Sequence, residues 1–355
     1  MSSMTDNPPD VSTTVFVGVD THKNTNHAAI IDHLGREVGD REFPTTAAGH
    51  VDLIAWITAA GKVERIGVEG TGSYGSTLAT ALRLSGLEVV DVDRPDRRSR
   101  RFHGKSDPLD AHSAARAALT GKATTTPKAH DGNVEAIRFL HNARHSAVKA
   151  RAEAVTQLKS MIVNAPEGIR AELRQLTDAH LFAACAALPH APRRPVDLDS
   201  AVGAALRSVS RRILDLTAEE RILAKQIEAL VTAHAPQLLA RFGIGTSTAA
   251  QLLITVGDNP ERITSEASFA HLCGVAPIQA SSGRTQRHRL DRGGDRQANR
   301  ALYTIAITRL RGDERTQQYR DRRLTEGKTP REITRCLKRA IAREIYGLLK
   351  PPQTT

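Results

Sequence analysis

Between Val15 and Val92 short apolar runs alternate with turn signals, and this rhythm leaves few folds open to the front of the chain. Val15-Phe16-Val17-Gly18-Val19-Asp20 is a strand ending in an acid, and residues 27–31 and 37–43 read as a second and a third strand, with Leu34-Gly35 marking the turn between them. Residues 51–60 carry helical spacing (Leu53, Ile54, Ile57) and stop at Gly61. Residues 65–69 form a fourth strand, residues 76–84 a helix closed by Gly86, and residues 87–92 a fifth strand. A basic stretch from Arg94 to Lys105 leads into a helix from Asp107 to about Leu119. Three meandering strands followed by alternating helices and strands predict a mixed α/β layer.

The texture changes near Gly132. Residues 133–180 and 198–235 place apolar side chains at helical period among many charges, and Leu188-Pro-His-Ala-Pro-Arg-Arg-Pro195 breaks the run between them. Two long helices paired as an antiparallel hairpin or coiled coil are expected, with solvated helices of a bundle as the plainer alternative. From about Ala235 a third, mostly helical region follows: Gly243-Ile244-Gly245 before a small-residue helix, a loop rich in Ser, Gly and Arg, and helices over about residues 296–310 and 331–349. The expected division is a disordered tail at 1–13, an α/β domain at 14–130, a helical arm at 131–235 and a helical domain at 236–355.

Hydrophobic residues make up 40% of the chain, enough for a packed core, while aromatics make up 3%, so that core rests on Ala, Val, Leu and Ile. The net charge of +11 favours a polyanionic partner. No apolar run is long enough to span a membrane, and the start of the sequence lacks the pattern of a signal peptide. Cys185, Cys273 and Cys336 are scattered and odd in number, which argues against a disulfide framework or a cysteine zinc site and for a reducing, cytoplasmic location.

Four acids stand out. Asp20 and Glu69 each end a strand, and Asp107 and Asp110 are three apart at a helix start, so both side chains can face one way. Hard divalent cations take oxygen ligands, and two such cations can hold the attacking and leaving oxygens of a phosphoryl displacement. Asp107-Pro108-Leu109-Asp110 is equally readable as a helix cap with Pro at the first position and an acid favoured by the dipole. A competing motif is Gly70-Thr-Gly72-Ser-Tyr-Gly75, which follows a strand, opens a helix and has Asp91 and Asp93 about 20 residues on, as in a dinucleotide fingerprint. Against it, Glu69 would crowd a pyrophosphate.

Near the far end, Ala276-Pro-Ile-Gln-Ala-Ser281-Ser282-Gly283-Arg284 is a small-residue loop followed by Arg287, His288, Arg289, Arg292, Arg296 and Arg300. A serine hydroxyl amid such cations could attack a phosphodiester, although Ser-Ser-Gly-Arg also makes an ordinary turn. The many further arginines out to Arg343 suit salt-sensitive contacts to a phosphate backbone. Gly243-Ile-Gly245 has the form of a turn whose amides hold phosphate, or simply of a helix start.

In order along the chain, Val17-Gly18-Val19-Asp20-Thr21-His22-Lys23, Val68-Glu69-Gly70-Thr71-Gly72-Ser73-Tyr74, Lys105-Ser106-Asp107-Pro108-Leu109-Asp110-Ala111, Gly243-Ile-Gly245, Phe269-Ala-His-Leu-Cys-Gly274-Val-Ala-Pro277, Ser281-Ser282-Gly283 and Arg292-Gly-Gly-Asp-Arg-Gln-Ala-Asn299-Arg300 resemble the motifs of the IS110/IS1111 transposases. The resemblance spans nearly the whole chain. It implies an RNase H-like (RuvC-like) domain whose Asp20, Glu69, Asp107 and Asp110 bind Mg²⁺ or, as a substitute, Mn²⁺. It further implies a long helical coiled-coil arm and a mostly α domain bearing the nucleophile Ser282, the serine directly before the glycine. The expected activity is cutting and rejoining of DNA at element ends and target. Lys105, Gly243, Gly245, Arg284, Arg287, Arg289, Arg292, Arg296 and Arg300 are the expected nucleic-acid contacts. Homo-oligomers are implied, with the acids of one protomer meeting the serine of another, and for some members an RNA encoded by the element. A metal-dependent DNA nuclease without serine chemistry, a dinucleotide-binding oxidoreductase and a non-catalytic nucleic-acid binder are the competing expectations.

Overall fold

The computed structural model describes residues 14–92, 106–189, 197–281, 283 and 288–349. It divides into two compact units, one holding the chain up to Gly132 together with Val256–Ser265, the other holding Asn133–Thr255 and Glu266–Leu349.

The first unit is built on a five-stranded mixed sheet of β1 (Thr14–Thr21), β2 (Thr25–Asp32), β3 (Glu37–Pro44), β4 (Lys62–Glu69) and β5 (Val89–Val92), in the order β3-β2-β1-β4-β5. β1, β2 and β3 pair antiparallel, whereas β4 and β5 join on the other side of β1 in parallel. Parallel neighbours need a crossover, and helices supply it: α1 (Ala47–Ala59) before β4 and α2 (Ser76–Leu84) before β5. The central strand β1 is apolar on both faces because both are covered. Val15, Val17 and Val19 are fully buried with Leu53 and Ile57 of α1 and Leu78 and Leu82 of α2. The other face receives α3 (Asp107–Leu119), through Ala111, Ala114, Ala115 and Ala118.

The α/β layer is as expected, with the three meandering strands and the later strands in place. Helix α1 begins earlier than its apolar period suggests, because Thr46 caps it by accepting from the Gly49 amide at 3.1 Å. Val256–Ser265 is tied to the rest of the first unit through a buried amide: Asn259 accepts from the Ala129 N–H at 2.9 Å and donates to the Pro127 carbonyl at 3.0 Å.

The second unit is mostly helical. The run expected as one helix over 133–180 is three: α4 (Asn133–Val163), α5 (Glu167–Leu173) and α6 (Asp178–Ala187). Pro166, which lacks an amide proton, stands at the break before α5. The second long helix, α7 (Leu198–His234), pairs antiparallel with α4. Arg144 donates to Glu220 at 2.9 Å, while Leu158 and Ile162 share a cluster with Leu206, Val209 and Ile213. Leu181 and Cys185 of α6 close the end of that cluster, and the buried Ser210 hydroxyl is satisfied by the Phe182 carbonyl at 2.7 Å.

Beyond α7 come α8 (Pro236–Leu239), α9 (Thr246–Val256), a 3₁₀ turn (Pro260–Arg262) and α10 (Glu266–Leu272). A two-stranded ribbon of β6 (Pro277–Gln279) and β7 (His288–Leu290) comes next, then α11 (Arg296–Gly312), α12 (Glu314–Thr325) and α13 (Pro330–Leu349). Helix α12 falls where no helix is expected from the sequence; its apolar content is low, and Asp313 starts it by accepting from the Thr316 amide at 3.0 Å. Among the described residues no helix is long and apolar enough to cross a membrane. The expected tail at 1–13 lies outside the described residues.

Candidate active site

Asp20 and Asp107 come together because two glycines let a helix touch the sheet, while Glu69 and Asp110 lie outside the group of clustered ligand atoms. In parallel register Gly18 of β1 lies beside Gly67 of β4, and Val19 beside Val68, so Asp20 and Glu69 come next at the carboxyl ends of the two strands. Side chains alternate along a strand, so Asp20 shares its face with Gly18, and Glu69 with Gly67. A Cβ on Gly18 would sit 2.0 Å from the Ala111 carbonyl oxygen and one on Gly67 2.6 Å from that of Ala114. Helix α3 therefore lies directly on these positions, and its first turn reaches the edge where the two strand-end acids emerge.

That first turn carries Asp107 and Asp110. Asp110 is 4% exposed and Asp20 6%, whereas Asp107 is half-buried. The cap of α3 is Ser106, without a side-chain cap bond, and Pro108 lies in the first turn. Asp107 is thus the first helical residue and not the cap, which corrects that part of the capping alternative, whereas Pro108 and both acids lie in the first turn as that reading has them.

His22, two residues beyond Asp20 and on the same face, completes the group. Its Nδ1 lies 3.8 Å from Asp20 Oδ2 and its Nε2 3.9 Å from Asp107 Oδ1. One ligand atom from each of Asp20, His22 and Asp107 lies within 4.8 Å of the others, a spacing that a single cation could bridge. The Thr21 hydroxyl donates to the Glu69 backbone carbonyl at 2.7 Å and pins the two strand ends together. Sequence reasoning quoted His22 but gave it no role; the signal was the Asp-x-His spacing at a strand end, which puts both side chains on one face. Two further imidazoles stand nearby. His27 is opposite Asp20 in the β1–β2 register and bonds Asp40 Oδ2 at 2.6 Å, and the buried His112 lies 3.9 Å from the other oxygen of Asp40.

The glycine-rich turn after β4 is otherwise employed. Asp91, the acid expected to meet a ribose, accepts the Thr71 hydroxyl at 2.6 Å, and its amide donates to the Thr125 carbonyl at 2.7 Å. Gly70 takes φ +71°, while Gly75 lies so close to Glu69 that a Cβ would come 2.9 Å from its carbonyl oxygen. Asp93 lies outside the described residues.

In the second unit, β6 and β7 pair through Gln279 and His288. Ser282, Arg284 and Arg287, like Lys105 of the first unit, lie outside the described residues. Ser281 is exposed, as are Arg289, Arg292, Arg296 and Arg300. Beyond the ribbon, Asp295 anchors the start of the next helix. It caps α11 by accepting from the Gln297 and Ala298 amides at 2.8 and 3.2 Å, and it takes the Thr255 hydroxyl at 2.8 Å. Gly243 takes φ +84°, and the Gly245 amide donates to the Thr248 hydroxyl at 3.1 Å, so that amide is engaged at the start of α9.

Two family models match the chain. One, for the DEDD type of IS110 and described as Transposase, covers residues 17–165, and the other, described as Transposase IS116/IS110/IS902 family, covers residues 235–321. The chain belongs to the IS110 family of transposases. The first family match begins within β1 and takes in Asp20, Glu69, Asp107 and Asp110, while the second takes in the ribbon and α11. Among relatives, this IS110-family chain is 37% identical over 136 residues to the insertion element IS110 43.6 kDa protein of Streptomyces coelicolor. That match spans 37% of the chain and 33% of the relative, about a third of its length. It is 24% identical to the insertion element IS900 42 kDa protein of Mycobacterium paratuberculosis, over 95% of the chain and 96% of the relative.

Proposed function

We propose that this chain cuts and rejoins DNA by serine transesterification assisted by a divalent cation. The observation that carries it is the convergence of Asp20, His22 and Asp107 donors at the carboxyl edge of the sheet, in a chain matched by two transposase models. The strand order β3-β2-β1-β4-β5, antiparallel then parallel, supports an RNase H-like assignment for residues 14–130. Residues 131–235 then serve as an arm and 236–355 as the serine-bearing domain.

Asp20, Glu69, Asp107 and Asp110 hold Mg²⁺, or Mn²⁺ in its place, with His22 against the same cluster. Bound there, the cation would offset negative charge on the phosphate being transferred. The donors fit such an ion: the carboxylates are hard oxygen ligands, and two of the four are almost fully buried on a rigid edge. Ser282 attacks the scissile phosphorus. Its Oγ–P bond forms as the bond from phosphorus to a deoxyribose oxygen breaks, the hydroxyl proton leaves to solvent or a nearby base, and the released oxygen takes up a proton. A deoxyribose hydroxyl of the partner strand then reverses the sequence, so the phosphoserine ester conserves the bond energy and no nucleotide cofactor is needed. The arginines Arg284, Arg287, Arg289, Arg292, Arg296 and Arg300 and Lys105 hold the substrate backbone, with Gly243 and Gly245 as further contacts.

The working form is a homo-oligomer in the cytoplasm, where the acids of one copy meet the serine of another, with an element-encoded RNA as the guide to target and donor. Incubation with Mg²⁺, the element-end duplex and its flanking transcript should give DNA linked covalently to protein. The adduct is expected to vanish in Ser282→Ala and in Asp107→Ala while DNA binding survives. Cleavage by Ser282→Ala at the wild-type rate would instead mark a plain metal-dependent nuclease.

A further inference from the structure

The arginines of the second unit are not equivalent. Several are spent at home: Arg309 donates two hydrogen bonds to the Glu344 carboxylate, Arg323 pairs with Glu326, and Arg320 with Asp321. Others converge on a half-open groove of about 810 Å³, in the size range of ligand sites (~300–1,000 Å³). One wall is the segment from Gly274 to Pro277 with His288 and Arg289 of β7, and the other is the exposed side of α13. Six Lys or Arg side chains line it against two carboxylates. Both carboxylates are engaged elsewhere. Asp291 faces His271 at 3.1 Å and accepts the Gly293 amide, while Glu332 accepts the Thr329 amide at 2.9 Å to start α13.

Sequence spacing builds the α13 wall. Arg335, Arg339 and Arg343 recur every fourth residue, one helical turn or roughly 6 Å apart. Beside that ridge runs a second, Cys336 and Ala340, whose small side chains leave the floor open. Glu266 holds Arg339 and lies 3.8 Å from Arg343, so the ridge is fixed at one end and Arg335 is left outermost. Lys338 is set deeper. Its ammonium donates to Asn299 Oδ1 at 2.7 Å, and the Asn299 amide donates in turn to the Gly274 carbonyl at 2.7 Å, so one asparagine ties the cation to the opposite wall. Gly274 itself needs its left-handed φ of +63°, and a Cβ there would come 3.2 Å from the Asn299 amide nitrogen.

We infer that this groove is a binding site for the sugar–phosphate backbone of the DNA strand presented to residues 280–287. Three features select that occupant. Cations stand on both walls, and along α13 they repeat at roughly 6 Å, comparable with the spacing of successive phosphates. No Phe, Tyr or Trp lines the groove among the described residues, which suits contacts to backbone more than stacking on bases. The β7 wall continues directly into the segment that carries Ser282, and the strand that serine would attack is DNA. Burial, reinforced by Arg335, pushes the Lys338 ammonium below the ordinary lysine range, and the negative charge of a bound phosphate would act in the opposite direction. The inference deepens the proposed function and rests on it only for the choice of DNA.

Cys336 makes the groove testable in the intact protein. It is exposed on the floor, whereas Cys185 and Cys273 are buried, and burial together with the Asp295 charge pushes the Cys273 thiol up to about 12. A maleimide should therefore label Cys336 alone. In Ser282→Ala protein without divalent cation, saturating element-end duplex should slow that labelling at least tenfold, with binding followed by fluorescence anisotropy. Arg335→Ala, and Ala340→Glu placed on the exposed floor, should weaken DNA binding several-fold, and Arg335→Ala should lower the salt slope by about one. Unchanged labelling with DNA demonstrably bound would overturn the inference, as would protection by the transcript and not by the duplex. Protection without an adduct in wild type would leave the groove standing and fail the serine chemistry, whereas an adduct without protection would do the reverse.

Discussion

The two ends of this chain solve different problems of placement. At the sheet edge each acid is fixed by backbone that cannot move independently. Asp20 and Glu69 are the next residues after a parallel register, and Asp107 and Asp110 ride on a helix pressed against two glycines. In the second unit the ribbon is two paired three-residue strands, and precision comes from side chains: Asp295 on the start of α11 and Asn299 between Lys338 and Gly274. A rigid edge suits carboxylates that must hold cations at short, fixed distances. A side-chain-braced ribbon beside a basic groove suits a polymer that must enter and leave.

The contrast can be broken first at the acids. Asp20→Asn or Asp107→Asn should lower strand cleavage by about 10²-fold or more while circular dichroism and melting temperature stay near wild type, because charge and not packing is removed. Loss of folding in both would make these carboxylates structural. Next comes the glycine floor. Gly18→Ala places a methyl 2.0 Å from the backbone of α3, and destabilisation of about 3 kcal/mol is expected in urea unfolding. Gly72→Ala, where nothing lies within 4 Å, should differ from wild type by no more than about 0.5 kcal/mol. Equal effects would show that the helix is not held against the sheet.

Smaller effects sharpen the comparison. Asp295→Ala removes the cap of α11 and the Thr255 bond, and a loss of about 1–2 kcal/mol is expected by chemical denaturation. His22→Ala should reduce Mn²⁺ affinity about tenfold by calorimetric titration with the fold unchanged, since it deletes one of three clustered donors. No change in Mn²⁺ affinity would remove His22 from the cation's surroundings.

Much of the first unit was legible because local signals and tertiary structure agree there. Alternating valines up to Asp20, the helix stop at Gly61 and the glycine after Leu84 each mark an element that the fold keeps. The strand-end positions of Asp20 and Glu69 were readable for the same reason. The features that could not be read depend on contacts far apart in sequence. Asn259 satisfies backbone groups at Pro127 and Ala129, about 130 positions away, and nothing local in Asn259-Pro260 announces it. The role of Gly18 as the seat of α3 is similar, since a glycine in a strand signals close approach without naming the partner. The interruption at Pro166 was available in the sequence; helical periodicity on both sides hid it. Helix α12 had too few apolar residues to register as a helix, and it is defined by its Asp313 cap and its packing in the fold.

The central claim is that Ser282 takes the strand before a second strand does, with the acids serving both transfers. A duplex bearing a single-configuration phosphorothioate at the scissile position tests this directly. Two successive in-line displacements through a phosphoserine ester should deliver the rejoined product with configuration at phosphorus retained. Inversion in that product would mean one direct displacement at the acidic edge, and the serine would have no place in the chemistry.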